Sequence, residues 1–203
     1  MTIRCLPLGA LQANCYQHSD EEGATAVIDP GDEAGTILET VRVGELAVEA
    51  ILLTHAHFDH ILAADELRRE TGAPVYVYET DAPALADPRR SLTVLAKGGA
   101  GPLRADHLLK DGEELRVGRL AVSVLHTPGH TPGSCCFLCG DALFSGDTLF
   151  AGSIGRTDFP GGDDQAMAAS LRMLAALEPG IRVFPGHGES TTLSKERMEN
   201  PYL

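Results

Sequence analysis

Short apolar runs broken by turn residues fill the first thirty positions. Ile3 to Leu8, Asn14 to His18 and Thr25 to Asp29 read as strands, the last two joined by the polar turn Ser19 to Gly23, before Pro30-Gly31 stops the pattern. Glu33 to Val43 carries apolar residues near helical spacing, and Ala50 to Leu53 reads as a buried strand. Ile61 to Glu70 bears the Ile61, Leu62, Leu67 stripe of an amphipathic helix, ended by Gly72 and Pro74, and Val75 to Tyr78 supplies the next strand. Pro88 to Pro102, with Gly98-Gly99-Ala100-Gly101 inside it, shows no clear period and sparse charge, the signature of a long surface loop that can form part of a substrate mouth. Strands follow around Leu108, Leu115, Leu120 to Leu125, Ser134 to Leu138 and Ala142 to Ser145. Then come a helix over Asp164 to Leu177, a strand at Arg182 to Phe184 and a last helix at Ser194 to Glu199. Strand-rich runs punctuated by helices in both halves predict sheets with helices outside, a layered α/β arrangement, and no repeat at solenoid period interrupts it.

At 203 residues with 43% hydrophobic content, the chain can bury one sizeable core, so one domain over residues 1–203 is expected. A net charge of −13, spread without acidic blocks, leaves only 16 Lys and Arg to contact phosphates and argues against a nucleic-acid partner. No apolar run reaches bilayer-spanning length, and Met1 to Ala10, with Arg4 and Pro7, lacks a signal-peptide core, so a soluble cytoplasmic protein without a membrane partner is expected. The sequence leaves the oligomeric state open. Five cysteines, Cys5, Cys15, Cys135, Cys136 and Cys139, make a poor disulfide framework and are expected as reduced thiols. Cys136 and Cys139 form a Cys-x-x-Cys, yet they lie in an apolar strand with no second pair, which favours buried structural cysteines over a redox or metal site.

The densest chemistry lies in His55-Ala56-His57-Phe58-Asp59-His60, entered from the apolar run Ala50 to Thr54 and packing four metal-capable side chains into six positions. Imidazole with carboxylate suits zinc, iron(II) or manganese, and the absence of thiolate argues against a sulfur-rich site. Three further strand ends each offer one ligand: His130 in Thr127-Pro128-Gly129-His130-Thr131-Pro132-Gly133, Asp147 in Ser145-Gly146-Asp147, and His187 in Pro185-Gly186-His187-Gly188. His18, His107 and His126 lack such loop contexts and are set aside. Seven candidate ligands exceed the need of one tetrahedral ion, which favours two divalent ions, zinc first and iron or manganese as alternatives, sharing a carboxylate for which Asp147 is the natural candidate. Thr54 reads either as a residue that aligns a ligand by hydrogen bond or as a simple strand-end Thr.

Together these residues resemble the metallo-β-lactamase superfamily: the Thr-His-x-His-x-Asp-His block, then His130, Asp147 and His187 in that order, covering essentially the full chain. The resemblance implies a four-layer αββα sandwich, one metal held by His55, His57 and His130, the other by Asp59, His60 and His187, with Asp147 bridging. Several true β-lactamases look different at the bridging position, and flavodiiron proteins carry Glu where this chain has His57. A closer resemblance is to short glyoxalase II-like hydrolases, through Gly152-Ser153-Ile154-Gly155-Arg156-Thr157-Asp158-Phe159 and the ending Asn200-Pro201-Tyr202-Leu203. It implies a small-molecule thiolester substrate such as S-lactoylglutathione, Asp59 as the catalytic residue that orients hydroxide, and Arg156 with Asp158 at the substrate. A salt bridge between those two is the competing role for Arg156. Longer glyoxalases II add a C-terminal helical domain, whereas no separate one is expected here. The Gly-Arg-Thr-Asp-Phe stretch also occurs in persulfide dioxygenases of the superfamily, which implies as alternative a single iron on His55, His130 and Asp147. A binuclear phosphodiesterase is disfavoured by the acidic composition, and a structural site by the number of ligands.

Overall fold

The computed structural model describes residues 1–96, 101 and 103–203. The opening apolar runs pair as a meander, β1 (Thr2–Leu8) against β2 (Ala13–Ser19) and β2 against β3 (Ala24–Ile28), both antiparallel. Helix α1 (Ala34–Val43) then crosses over, so β4 (Ala47–Leu53) lies parallel to β3, and β5 (Val75–Tyr78) and β6 (His107–Leu109) extend the sheet in the same sense. The second sheet has the order β14-β13-β10-β9-β8-β7, built from β7 (Glu114–Val117), β8 (Leu120–His126), β9 (Cys135–Cys139), β10 (Ala142–Gly146), β13 (Arg182–Pro185) and β14 (Thr191–Thr192). A two-residue pair, β11 (Leu149–Phe150) with β12 (Ser153–Ile154), stands apart.

Three apolar layers hold four structural layers together. Ala34 and Ile37 of α1 and Leu67 of α3 (Ala64–Thr71) pack on Val27, Ile51 and Leu53 of the first sheet. Ile28, Leu52, Val124, Phe137 and Phe144 meet between the sheets. Met167, Leu171 and Leu174 of α4 (Asp164–Ala175), with Leu193 of α5 (Leu193–Glu199), cover the outer face of the second sheet. Each such side chain, taken fully out of water, contributes about 1.5–3 kcal/mol. This is the αββα sandwich.

The stripe expected as one helix from Ile61 to Glu70 is two, α2 (Phe58–Ile61) and α3. The break falls where the Ala63 amide turns to the Pro30 carbonyl at 3.0 Å. The expected Pro88–Pro102 loop contains a 3-10 turn at Thr93–Leu95, and its Gly98-Gly99-Ala100 stretch and Pro102 lie outside the described residues. Cys136 packs in the helix-facing layer while Cys135 and Cys139 pack between the sheets, so the Cys-x-x-Cys straddles its strand and cannot close on itself. Burial pushes the Cys136 thiol up to about 12, the behaviour of an inert core residue. Among the described residues, no helix is long and apolar enough to cross a membrane.

Candidate metal centre

All the loops bearing the predicted ligands leave the sheets at one edge, the C-terminal ends of β4, β8, β10 and β13. His55, His57 and His60 are buried, Asp59 is half-buried, and His130 is buried on the loop after β8. His55, His57 and His130 present ligand atoms within 4.8 Å of one another, and so do Asp59, His60 and His187. Asp147 joins the two groups: its Oδ2 lies 3.5 Å from His130 Nε2 and 3.7 Å from His187 Nε2, and its Oδ1 lies 3.5 Å from His60 Nε2. The structure therefore brings all seven predicted ligands together. A Cβ at Gly186 would overlap Asp147 Oδ1, which explains why the loop carrying His187 must pass that point as glycine.

The donor set fits divalent ions by its own polar bookkeeping. His55 Nε2 and Asp147 Oδ1 are buried with no hydrogen-bond partner in the protein. His57 Nδ1 and His130 Nε2 face each other at 2.8 Å, while His130 Nδ1 donates to the Arg156 carbonyl at 2.7 Å, leaving the Nε2 lone pair aimed inward. Burial, with the neighbouring imidazoles, pushes His55 far down and His57 down to about 3, so both are held neutral, the form that coordinates. Around the other group burial opposes charge, but the carboxylates of Asp147, Asp29 and Asp59 raise His60 to about 10. His187 is also raised, burial being outweighed by Asp59 and Asp147. Burial pulls the Asp59 carboxyl upward, yet the His187 hydrogen bond and the His60 charge hold it below the usual carboxylate range. The carboxylates around this group thus favour positive charge on its imidazoles.

One further residue organises both groups. Asp29, buried at the end of β3 with φ of 50°, accepts from the Thr54 amide at 2.7 Å, from Thr54 Oγ1 at 2.6 Å and from His60 Nδ1 at 3.1 Å. Thr54 Oγ1, having given its proton to Asp29, accepts from His55 Nδ1 at 3.1 Å, so a single carboxylate fixes the tautomer of a histidine in each group. Asp29 stands alone in sequence, although in space its carboxylate and ligand atoms of His55 and His60 lie within 4.8 Å of one another, a third metal-capable group. Its signal is the Asp29-Pro30-Gly31 break at a strand end, the same style of loop that carries His130 and His187. Asp81 is a second residue of this kind. Buried, it accepts from the Ala56 amide at 3.0 Å, Thr131 Oγ1 at 2.8 Å and the Gly133 amide at 2.8 Å, tying the 55–60 loop to the 127–133 loop. From the other sheet, Asn14 Nδ2 donates to Pro185 O at 3.0 Å and Gly188 O at 2.9 Å, which pins the turn bearing His187.

The centre opens into a cleft of about 690 Å³. Arg156 lines it, with its guanidinium bound in both directions by Asp158, Nε to Oδ1 at 2.6 Å and Nη2 to Oδ2 at 2.7 Å, and stacked 4.0 Å over the Phe159 ring. The three histidines set aside lie elsewhere: His18 packs on Phe144, His107 stacks on Tyr76 and His126 on Tyr78.

A sequence family described as the metallo-beta-lactamase superfamily matches residues 8–187. The hydroxyacylglutathione hydrolase GloC of Haemophilus influenzae is 36% identical over 212 residues, spanning 100% of this chain and 98% of that protein. Among solved structures, BLEG-1 B3 metallo-beta-lactamase superposes with a TM-score of 0.95 at 38% identity, covering 100% of this chain and 99% of that one. TTHA1623 in a di-iron-bound form superposes with a TM-score of 0.88 at 43% identity, covering 98% of this chain and 100% of that one.

Proposed function

The chain belongs to the metallo-beta-lactamase superfamily and is a metallo-hydrolase of that kind, and from this premise we propose that it hydrolyses thiolesters, S-lactoylglutathione among them, with two divalent ions. The observation that carries the reading is the pair of complete three-residue groups facing one shared carboxylate, Asp147. His55, His57 and His130 would hold one ion, Asp59, His60 and His187 the other. Zinc is the first candidate by donor chemistry, and iron or manganese suits the same set; the similar TTHA1623 structure is a di-iron form. Bound there, divalent ions supply hydroxide at neutral pH, by lowering the pKa of water to about 7, and a Lewis acid for the carbonyl.

The chain's own groups do the rest. Asp59, ionised and 3.3 Å from His187 Nε2, lines the cleft as an acceptor that orients the attacking oxygen. In the overall step that oxygen bonds to the acyl carbon, the carbon–sulfur bond breaks, and the proton balance is met by solvent. A thiolate leaves readily because its conjugate acid has a pKa of about 8.5, so no general acid has to be supplied. Thr54 and Asp29 keep His55 and His60 in the ligating tautomer throughout.

The test measures metal per chain after chelator-free purification together with anaerobic thiol release from S-lactoylglutathione. About two ions and oxygen-independent release are expected, and His55→Ala or Asp147→Ala should lower the metal content and abolish release. One iron with oxygen uptake on a persulfide, or hydrolysis of a β-lactam without thiolester turnover, would overturn the proposal.

A further inference from the structure

The cleft above the centre is apolar to a degree that the ligands do not require. Three separate segments bring hydrocarbon to it: the β1–β2 turn gives Leu11, the stretch after β5 gives Leu95, and the β11–β12 region gives Phe150 and Ile154, with Leu62 and Phe159 completing the lining. Leu11 is 55% and Leu95 63% exposed, large apolar side chains left in water at the rim. Apart from imidazoles, Arg156 is the one cationic side chain among the described residues that line the cleft. Its Nε and Nη2 already hold Asp158 and its face lies on Phe159, so its charge is partly offset before a ligand arrives. Asp32 adds a negative charge to the same lining. A glutathione thiolester brings two carboxylates and one ammonium into such a space, and the carboxylates find no free cation among these residues.

We propose that the cleft selects thiolesters with an aliphatic or aromatic acyl chain on a thiol of little charge, and that Leu11 and Leu95 set this preference. The scissile bond in this statement rests on the thiolester reading above; the preference for an apolar chain rests on the lining. Each methylene of a chain laid along these side chains leaves water for hydrocarbon, which predicts affinity rising about fourfold per methylene until the cleft is full.

The experiment titrates the metal-loaded protein calorimetrically with thioethers, which cannot be hydrolysed: S-ethyl, S-butyl and S-hexyl N-acetylcysteamine, and S-hexylglutathione. In parallel, kcat/KM is measured for acetyl, butyryl and hexanoyl N-acetylcysteamine and for S-lactoylglutathione. The expected result is a rise of about fourfold per methylene in both series, with S-hexylglutathione binding no tighter than S-hexyl N-acetylcysteamine. Leu11→Glu and Leu95→Glu, at exposed positions where the fold tolerates charge, should flatten the rise. Affinity independent of chain length, a glutathione thioether bound tenfold more tightly than its uncharged counterpart, or slopes unchanged in both leucine variants would overturn the proposal. A length-dependent affinity without hydrolysis of any thiolester would leave the apolar cleft standing and remove the thiolester reading alone.

Discussion

Asp29 accepts three hydrogen bonds from Thr54 and His60 and does not line the cleft, which makes it the residue whose loss separates metal binding from chemistry. Asp29→Ala frees the His60 and Thr54 side chains together, so metal affinity should fall about 10–100-fold, read by competition with a chelator, while addition of excess metal restores most of the turnover. His18 makes a separate test because it lies outside the site. Burial, with the N-terminal and Arg182 charges, lowers it to about 4, against the ordinary histidine value of 6.5. Its folded pKa is the lower one, so the unfolded chain takes the proton first as pH falls. The contribution to stability is full above about 6.5 and is lost progressively toward pH 4. His18→Leu should therefore lose less stability than the parent between pH 7 and 4.5, by on the order of 2 kcal/mol in urea unfolding of the metal-loaded protein. The candidate ligands were legible because four crowd into His55 to His60 after an apolar strand and the other three each stand alone in a Gly-containing loop at a strand end. Asp29, in a Pro-Gly loop of the same form, and Asp81 were not, because their roles rest on donors from distant segments that no local pattern shows.

At the level of elements, α5 is held by chemistry that its short sequence does not display. Glu196, on its buried face, accepts from the Gly152 amide at 2.7 Å, from Asn200 Nδ2 at 2.9 Å and from Thr191 Oγ1 at 2.6 Å. Asn200 Nδ2 also reaches the Ser153 carbonyl at 3.1 Å, so the helix and the residues just after it clamp the β11–β12 turn that leads to Arg156 and Phe159. Burial pulls the Glu196 carboxyl upward and these donors more than offset it, leaving it lowered overall. Glu196→Ala strands three donors and should cost about 2 kcal/mol, a fall of about 5 °C in Tm. The same variant should quicken amide exchange at Gly152 to Ile154 while leaving exchange in β4 and β5 unchanged. Strands of four or more residues and the longer helices were readable from period alone. Pairs such as β11 with β12 are too short to show a period, and α2 parts from α3 because one amide, Ala63, is captured by Pro30 from another segment.

Across the whole molecule, the two groups of ligands are not divided by sheet. His55, His57, Asp59 and His60 come from the loop after β4 in the first sheet, whereas His130, Asp147 and His187 follow β8, β10 and β13 in the second. Each candidate site therefore draws ligands from both halves, and cations bound there join the sheets at the edge where the inter-sheet core gives way to loops. The layering was legible because strand runs and helices alternate in both halves; which strand ends converge depends on the order β14-β13-β10-β9-β8-β7, which no local pattern encodes. Removing the ions leaves the carboxylates of Asp59 and Asp147, with buried imidazoles, to be balanced by protons alone. A ligand held at about 1,000 times its Kd stabilises the folded state by about 4 kcal/mol per site. Chelation should accordingly lower Tm by about 10 °C or more in a chain of this size, reversibly on returning zinc or iron. His187→Ala, which breaks one group and spares the other, should show a smaller chelator-dependent shift than the parent. An equal shift in both would mean that His187 holds no ion in this chain.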